Sequence, residues 1–224
     1  MSAMNPKISV SIMAHPSRRD NVELLRYRLG GEVPVSWASN AKPSAHPPQR
    51  WATGKRAWQL HDKDADWHVV IQDDAIVCED FRAAMSRALA HRGNAGVVSA
   101  YTGTGRPRQM RVRSKLARAE ADGSSWWSTT EPLYWGVAVA LPVSVIPKMV
   151  HWCSNSARRM YNYDTRIGEY ARLRDWRTWY TVPSLVDHLD EGSLVGHGPD
   201  RNDKSRRAHN YVGDSSALAI DWSR

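Results

Sequence analysis

The stretch from Trp67 to Phe81, WHVVIQDDAIVCEDF, decides the fold. Its VVI segment is a continuous apolar run of the kind a strand shows when both of its faces are buried, as in a parallel sheet. Gln72, Asp73 and Asp74 follow immediately, and polar residues at the carboxyl end of a buried strand stand where open α/β sheets place their ligands. Upstream, KISVSIM (Lys7 to Met13) is a short β-rich run that ends in AHPSRRDN, where proline, serine and charge open a helix. The segment NVELLRYRLG (Asn21 to Gly30) spaces Val22, Leu25 and Leu29 at helical intervals and stops at a glycine pair. PVSWAS reads as a strand, the proline-rich stretch Asn40 to Gln49 as a loop near a ligand edge, and Arg50 to His61 as a second helix. A helix over Phe81 to Arg92 and a strand over Ala95 to Ala100 complete a β-α-β-α-β rhythm, which predicts an α/β layer architecture.

The second half is less regular. RPRQMRVRSKLAR (Arg106 to Arg118) reads as an extended arm or mobile loop. After it come SSWWSTTEPLYWG, a strand VAVAL, a helix-forming zone around Trp152 to Arg174, a last strand WYTVPSLVDHL, and a polar tail. No internal repeat or heptad pattern is present. With 224 residues, 42% hydrophobic and 24% charged, the chain has the composition of one globular domain, which excludes collagen-like, disulfide-scaffold and fully disordered classes. Lys and Arg number 31 against 23 Asp and Glu, and a formal charge of +8 favours a polyanion, a phosphorylated ligand or an acidic membrane as partner. Cys78 and Cys153 are too few and too far apart for a disulfide framework or a four-cysteine zinc site, so they read as reduced structural thiols. The N-terminus lacks a signal-peptide pattern and no run approaches the length of a membrane span; the expectation is a soluble, cytoplasmic protein with no membrane partner.

Two adjacent carboxylates repel each other, and that cost points to a cation, or a metal carrying phosphate, beside Asp73 and Asp74. An acid-rich turn with a helix cap has the same appearance. Asp164, in MYNYDTRIGEY, suits either a helix cap or a general base. His188 follows an apolar strand and suits either an oxygen-rich metal site or a satisfied structural histidine. His15, with Ser17, Arg18 and Arg19 behind it, is placed to meet a phosphate at a helix N-terminus, though the arginines equally suit a solvated face. Thr53-Gly54-Lys55 lacks the spacing of a P-loop, Gly103-Thr104-Gly105 lacks the rest of a dinucleotide fingerprint, and neither a Gly-x-Ser-x-Gly elbow nor His-Glu-x-x-His occurs.

Taken in order, ISVSIMAHPSRR, DWHVVIQDDAIVCEDF, LYWGVAVALP, YDTRIGEYARL and TWYTVPSLVDHLDEGSLVG resemble the ordered pieces of a glycosyltransferase of the GT-A fold. The resemblance spreads over most of the chain. It implies an α/β, Rossmann-like three-layer fold with a mixed, mostly parallel central sheet, and a single domain over residues 1–224. In that domain 1–100 would bind the nucleotide sugar, 101–200 would carry acceptor binding and catalysis, and 201–224 would form a basic tail. It matches Asp74 to the last carboxylate of the family's D-x-D motif, which binds Mn2+ or Mg2+ under the donor diphosphate, and His188 to a further metal ligand. Gln72 stands where the first acid usually is, a departure that bears on metal binding, and Asp73 takes the middle place. Asp164 matches the general base of inverting members, while His15 with Arg18 or Arg19 matches the turn that meets a UDP- or GDP-sugar donor.

For the acceptor, the run Arg106 to Arg118 carries six basic residues and no acid, and Arg201 to Arg207 adds four more. Arg111 and Arg113 suit phosphates spaced along double-stranded DNA, and Trp126, Trp127 and Trp135, beside Gly136, suit stacking on an extruded base. The leading acceptor expectation is therefore a hydroxymethylated DNA base, as in virus-encoded DNA glycosyltransferases, including those of bacteriophages. A protein or cell-surface glycan is the alternative acceptor, and a basic nucleic-acid-binding module without catalysis is the non-enzyme alternative.

Overall fold

The computed structural model describes residues 5–39, 47–92, 96–104, 109–155, 161–189, 206–213 and 215–224, the side chains of 47–48 and 109–111 excepted. Strand β1 (Ile8–Ala14) leads through a 3-10 turn at Pro16–Arg18 into helix α1 (Arg19–Arg28), followed by β2 (Val35–Trp37) and α2 (Pro47–Gln59). Next come β3 (Trp67–Gln72), β4 (Ala75–Val77), α3 (Phe81–Ala90), β5 (Val97–Ser99), α4 (Gln109–Ala121), β6 (Trp126–Thr129) and β7 (Ala138–Pro142). Helices α5 (Ile146–Asn155) and α6 (Tyr163–Arg172) then precede β8 (Thr178–Thr181) and β9 (Val186–His188).

Among the described residues, seven strands form one sheet in the order β2-β1-β3-β7-β5-β8-β6. The VVI run lies at its centre, with β1 parallel on one side (Val10 opposite Val69) and β7 antiparallel on the other (Val70 opposite Val139). Successive side chains on a strand point to opposite faces. Accordingly Trp67, Val69 and Ile71 join one core with Leu25 of α1 and Met85 of α3, while Val70 joins a second core with Trp58 of α2, Met149 of α5 and Ile167 of α6. These are the three layers, helices on both faces of a sheet that must be apolar on both.

The sheet is mixed in equal measure and not mostly parallel. Parallel pairings join β1 to β2, β1 to β3 and β5 to β8; antiparallel ones join β3 to β7, β5 to β7 and β6 to β8. The cause is that two strands run opposite to the rest, β7 between β3 and β5 and β6 at the edge beside β8.

Three further expectations are corrected. The basic run is not an arm: from Gln109 it is helix α4, because Val112, Leu116 and Ala119 recur at helical spacing and are buried. The helical zone expected around Trp152 to Arg174 is two helices, α5, which already begins at Ile146, and α6. WYTVPSLVDHL is two strands in different sheets, since β8 pairs with β5 and β6 while β9 pairs antiparallel with β4 in a separate two-stranded ribbon. Most of the proline-rich stretch, residues 105–108 and the basic residues Arg201 and Lys204 lie outside the described residues. Beyond Arg206 the chain returns to the core, where Ala217 and Trp222 are buried and Trp126 donates its indole N–H to the Trp222 carbonyl at 2.9 Å. Among the described residues, no helix is long and apolar enough to cross a membrane.

Candidate functional site

The order β2-β1-β3 places the reversal of strand order at β1 and β3, and their carboxyl ends open the crevice in which α/β sheets bind ligands. In-register pairing puts Met13 opposite Gln72 there, so the two following turns, His15 to Arg19 and Asp73 to Asp74, face each other. Asp73 ties them together. Its Oδ2 accepts from the His15 backbone N–H at 2.6 Å, and its Oδ1 lies 3.1 Å from Arg18 Nη1. The same guanidinium nitrogen lies 2.6 Å from Asp74 Oδ2. The cation expected beside the two carboxylates is thus supplied in part by the chain: Arg18 has only 7% of its side chain exposed, against 10% and 13% for Asp73 and Asp74. The pair caps no helix, because α3 begins only at Phe81.

The small ribbon delivers His188. Ala75 pairs with His188, Val77 with Val186, and the Leu189 N–H donates to the Asp74 carbonyl at 2.7 Å. His188 Nε2 then lies 3.3 Å from Asp74 Oδ2. Beneath it, buried Asp187 accepts from the His188 N–H at 2.8 Å and the Ala208 N–H at 2.6 Å and pairs with Arg207 at 2.9 Å, which fixes the strand end.

The electrostatics split the two aspartates. Burial, joined by the like charge of Asp74, raises Asp73 to about 6 against the pull of His15 and Arg18. Burial also opposes the ionised form of Asp74, but His188 and Arg18 outweigh it and hold that carboxyl below the usual range. For His188, burial disfavours the charged ring and the Asp74 carboxylate more than offsets this, so its pKa rises.

These residues fit a divalent cation. The Nδ1 of His188 donates to the Leu189 carbonyl, so Nε2, which faces Asp74 Oδ2 at 3.3 Å, is the nitrogen that a divalent cation would take in place of its proton. A backbone carbonyl holding the far ring nitrogen is the usual support of a metal-ligating histidine. Asp74 Oδ1 is buried with no partner among the described residues, an acceptor waiting for a cation or donor. No set of three or more His, Cys, Asp or Glu side chains converges among the described residues. Asp74 and His188 are accordingly the two protein ligands on offer, a number that suits Mg2+-like ions completed by phosphate and water.

His15 presents a donor. Its Nδ1 accepts from the Ser17 N–H at 3.2 Å, leaving the hydrogen on Nε2, which is buried and unpartnered among the described residues. Arg19 is exposed and stacks its guanidinium over Trp37 at 5.6 Å, outside this cluster of contacts.

Asp164 sits in the first turn of α6, behind the cap residue Asn162, and accepts from the Thr165 N–H at 2.7 Å. Burial raises its pKa, opposed by that N–H and by Arg50. The neighbouring Tyr163 ring packs on Gly136, and a Cβ at Gly136 would lie 3.3 Å from Gln72 Nε2, so the start of α6 adjoins the end of β3.

The aromatic expectations divide. Trp126 and Trp127 are not a stacking platform: both are buried, Trp126 against Trp222 and Trp127 face to face with Tyr180 at 4.0 Å. They lie on β6, whose side chains fill the two cores. Trp135 is half-buried and joins the site through Tyr101, whose ring lies 5.9 Å from Trp135 and 6.3 Å from His188. Gly136 serves packing against Tyr163. Arg113 is exposed on α4, and the side chain of Arg111 lies outside the described residues. Sequence reasoning missed Tyr101, Asp187, Gly54 and Tyr163; only Gly54 carried a signal, as a glycine inside a helix where alanine is favoured.

No family model matches the chain, and no curated protein does. Several solved structures align at low identity. One is the mannosyltransferase PcManGT from Pyrobaculum calidifontis in complex with GDP-Man and Mn2+, 14% identical over 78% of this chain with a TM-score of 0.44. The chain spans about half of that protein, 54%. Another is a glycosyltransferase involved in glycosylation of the major capsid of PBCV-1, 10% identical over 87% of this chain and 97% of the other, TM-score 0.46. A third is the inositol-1-phosphate CTP transferase from T. maritima, 9% identical over 80% of this chain and 71% of the other, TM-score 0.38.

Proposed function

We propose that this chain is a glycosyltransferase that moves a sugar from a nucleoside-diphosphate donor to an acceptor hydroxyl, with inversion. The observation that carries the reading is the cluster of Asp73, Asp74, Arg18 and His188 at the carboxyl ends of β1 and β3, with the Asp164 helix end beside it. Such a cluster suits a diphosphate, because Arg18 and the His15 Nε2–H offer charge and a hydrogen bond to phosphate oxygens at the start of α1. Asp74 and His188 would hold Mn2+ or Mg2+, which supplies charge neutralisation for the departing diphosphate.

Asp164 takes the proton of the acceptor hydroxyl as that oxygen bonds the anomeric carbon and the bond to the diphosphate breaks. A base with a pKa raised by burial is suited to that transfer near neutral pH. Gln72, in the place of an acid, hydrogen-bonds the donor through its amide without adding charge.

The acceptor we favour is a protein or glycan hydroxyl. Trp135, half-buried beside Tyr101, is the ring near the site that a sugar would meet, whereas Trp126 and Trp127 are committed to the cores. Part of the basic surplus is also paired internally, Arg18 with the two aspartates, Arg207 with Asp187 and Arg118 with Asp122. The test is a mass-spectrometric screen of sugar nucleotides with Mn2+ against glycan, peptide and hydroxymethylated-DNA acceptors. Sugar gained by a glycan or peptide supports the reading; sugar gained by DNA alone overturns the acceptor; no transfer or donor hydrolysis in any arm overturns the enzyme.

A further inference from the structure

We propose that Tyr163 is a positioning residue, a ring wedged between Gly54 and Gly136 that sets where Asp164 stands relative to the carboxyl ends of β1 and β3. The inference rests on the glycosyltransferase reading and adds to it residues outside the motifs. The Tyr163 ring is buried. A Cβ at Gly54 of α2 would lie 2.4 and 2.5 Å from ring atoms Cδ2 and Cε2, and one at Gly136 would lie 2.9 and 3.0 Å from Cδ1 and Cε1. Those atom pairs are the two opposite edges of one ring, so glycine backbone closes on both sides of it. Such approaches are shorter than side-chain carbons tolerate, and a packed interior has little room to yield.

Neither glycine adopts the left-handed backbone that would call for glycine on its own account. Inside α2 a glycine costs about 1 kcal/mol relative to alanine. Their common feature is the ring between them.

The wedge also touches the site. The Cβ built at Gly136 comes within 3.3 Å of Gln72 Nε2, and the one at Gly54 within 3.3 Å of Met13 Sδ. Gln72 and Met13 are register partners at the ends of β3 and β1. One ring thus spaces the start of α6 from both strand ends at which the donor is proposed to bind, and Asp164 is the next residue along α6. A displacement of about 1 Å between a catalytic group and its substrate costs on the order of 100-fold in rate.

The test compares Gly136→Ala, Tyr163→Leu, Tyr163→Phe and the double variant Gly136→Ala/Tyr163→Leu, with kcat, donor Kd and thermal midpoint measured for each. We expect Gly136→Ala and Tyr163→Leu each to lower kcat by roughly 10- to 100-fold with donor Kd within about twofold. Tyr163→Phe keeps the ring and should stay near wild type. The double variant should lose no more than the worse single one, because both act through one contact. Unchanged kcat in both single variants, additive losses, or losses that merely track the unfolded fraction would overturn the wedge. An independent readout is the titration midpoint of the Asp164 carboxyl followed by carbon NMR, which should move in Gly136→Ala and Tyr163→Leu and hold in Tyr163→Phe. An unmoved midpoint overturns the wedge. If the midpoint moves while the wild-type protein transfers no sugar, the wedge stands and the glycosyltransferase reading falls.

Discussion

Replacing Arg18 with methionine keeps an unbranched apolar stem and removes the guanidinium that bridges Asp73 and Asp74. The guanidinium lies 3.1 Å from one carboxylate and 2.6 Å from the other. At an effective dielectric constant of about 20, each contact is worth roughly 5–6 kcal/mol of gross attraction, most of it cancelled by desolvation. The observable quantity is what remains when the cation goes and two buried carboxylates face each other, about 3–5 kcal/mol of lost stability by analogy with other broken buried pairs. Urea unfolding in the presence of a chelator, so that no divalent ion replaces the guanidinium, measures it. The arginine variant should unfold at much lower urea with an unchanged slope. Asp73→Asn supplies the internal check. Burial and Asp74 hold the Asp73 pKa above its ordinary value even beside Arg18, so at pH 8 the substitution should be neutral or mildly stabilising in the wild-type background, whereas in the Arg18→Met background, where the guanidinium no longer offsets the repulsion, it should restore stability by about 1 kcal/mol or more. An Arg18→Met variant within about 1 kcal/mol of wild type, smaller than single-site core effects, or an Asp73→Asn effect no more favourable in the Arg18→Met background than in the wild type, would refute the reasoning.

Three other outcomes follow from the structure. Burial holds the Asp164 pKa above its ordinary value, so its charge works against the fold above that pKa and is harmless where both folded and unfolded forms are protonated. Asp164→Asn should therefore raise the thermal midpoint at pH 8 more than at pH 4 and lower kcat by about 100- to 10,000-fold, while the wild-type rate should fall as pH drops through the raised pKa. Gly168→Ala would normally favour a helix, but its Cβ would lie 2.0 Å from the Leu133 backbone nitrogen; it should instead destabilise by about 1–3 kcal/mol or more, read by urea unfolding. Trp127→Ala removes the ring stacked on Tyr180 and the N–H donated to Thr102 at 3.0 Å, and should cost about 3–5 kcal/mol in the same assay; a neutral effect would return Trp127 to the acceptor surface.

How far the sequence was legible depended on how pure each local signal was. The β1 and β3 strands were readable because their apolar runs are short and end sharply at His15 and Gln72. Helix α4 was not, because its buried positions Val112, Leu116 and Ala119 are small in number and interleaved with arginine, so charge masked the helical period. β8 and β9 read as one strand because hydrophobicity continues through Val182, Pro183 and Leu185; the division between two sheets is a tertiary event that proline marks but does not locate. At the site, the acids and His188 stood out by residue type. Arg18 stood out beside His15 for the donor phosphates, but its position between the two carboxylates did not, because that follows from the β1–β3 register and from the turn at Pro16–Arg18. The tryptophans misled for the opposite reason: a ring with a polar edge suits a core and a binding face equally, and only the pairing of β6 with β8 assigns Trp126 and Trp127 inward.

The most direct test of sugar-nucleotide chemistry at this site is calorimetric titration of UDP and GDP into the protein with and without Mn2+, repeated with Asp74→Asn. The account predicts micromolar-range binding of one nucleotide that strengthens at least tenfold with Mn2+ (about 1.4 kcal/mol) and an Asp74→Asn protein that keeps its fold and loses the Mn2+ effect. Binding of neither nucleotide, or a Mn2+ effect that survives in Asp74→Asn, would contradict it.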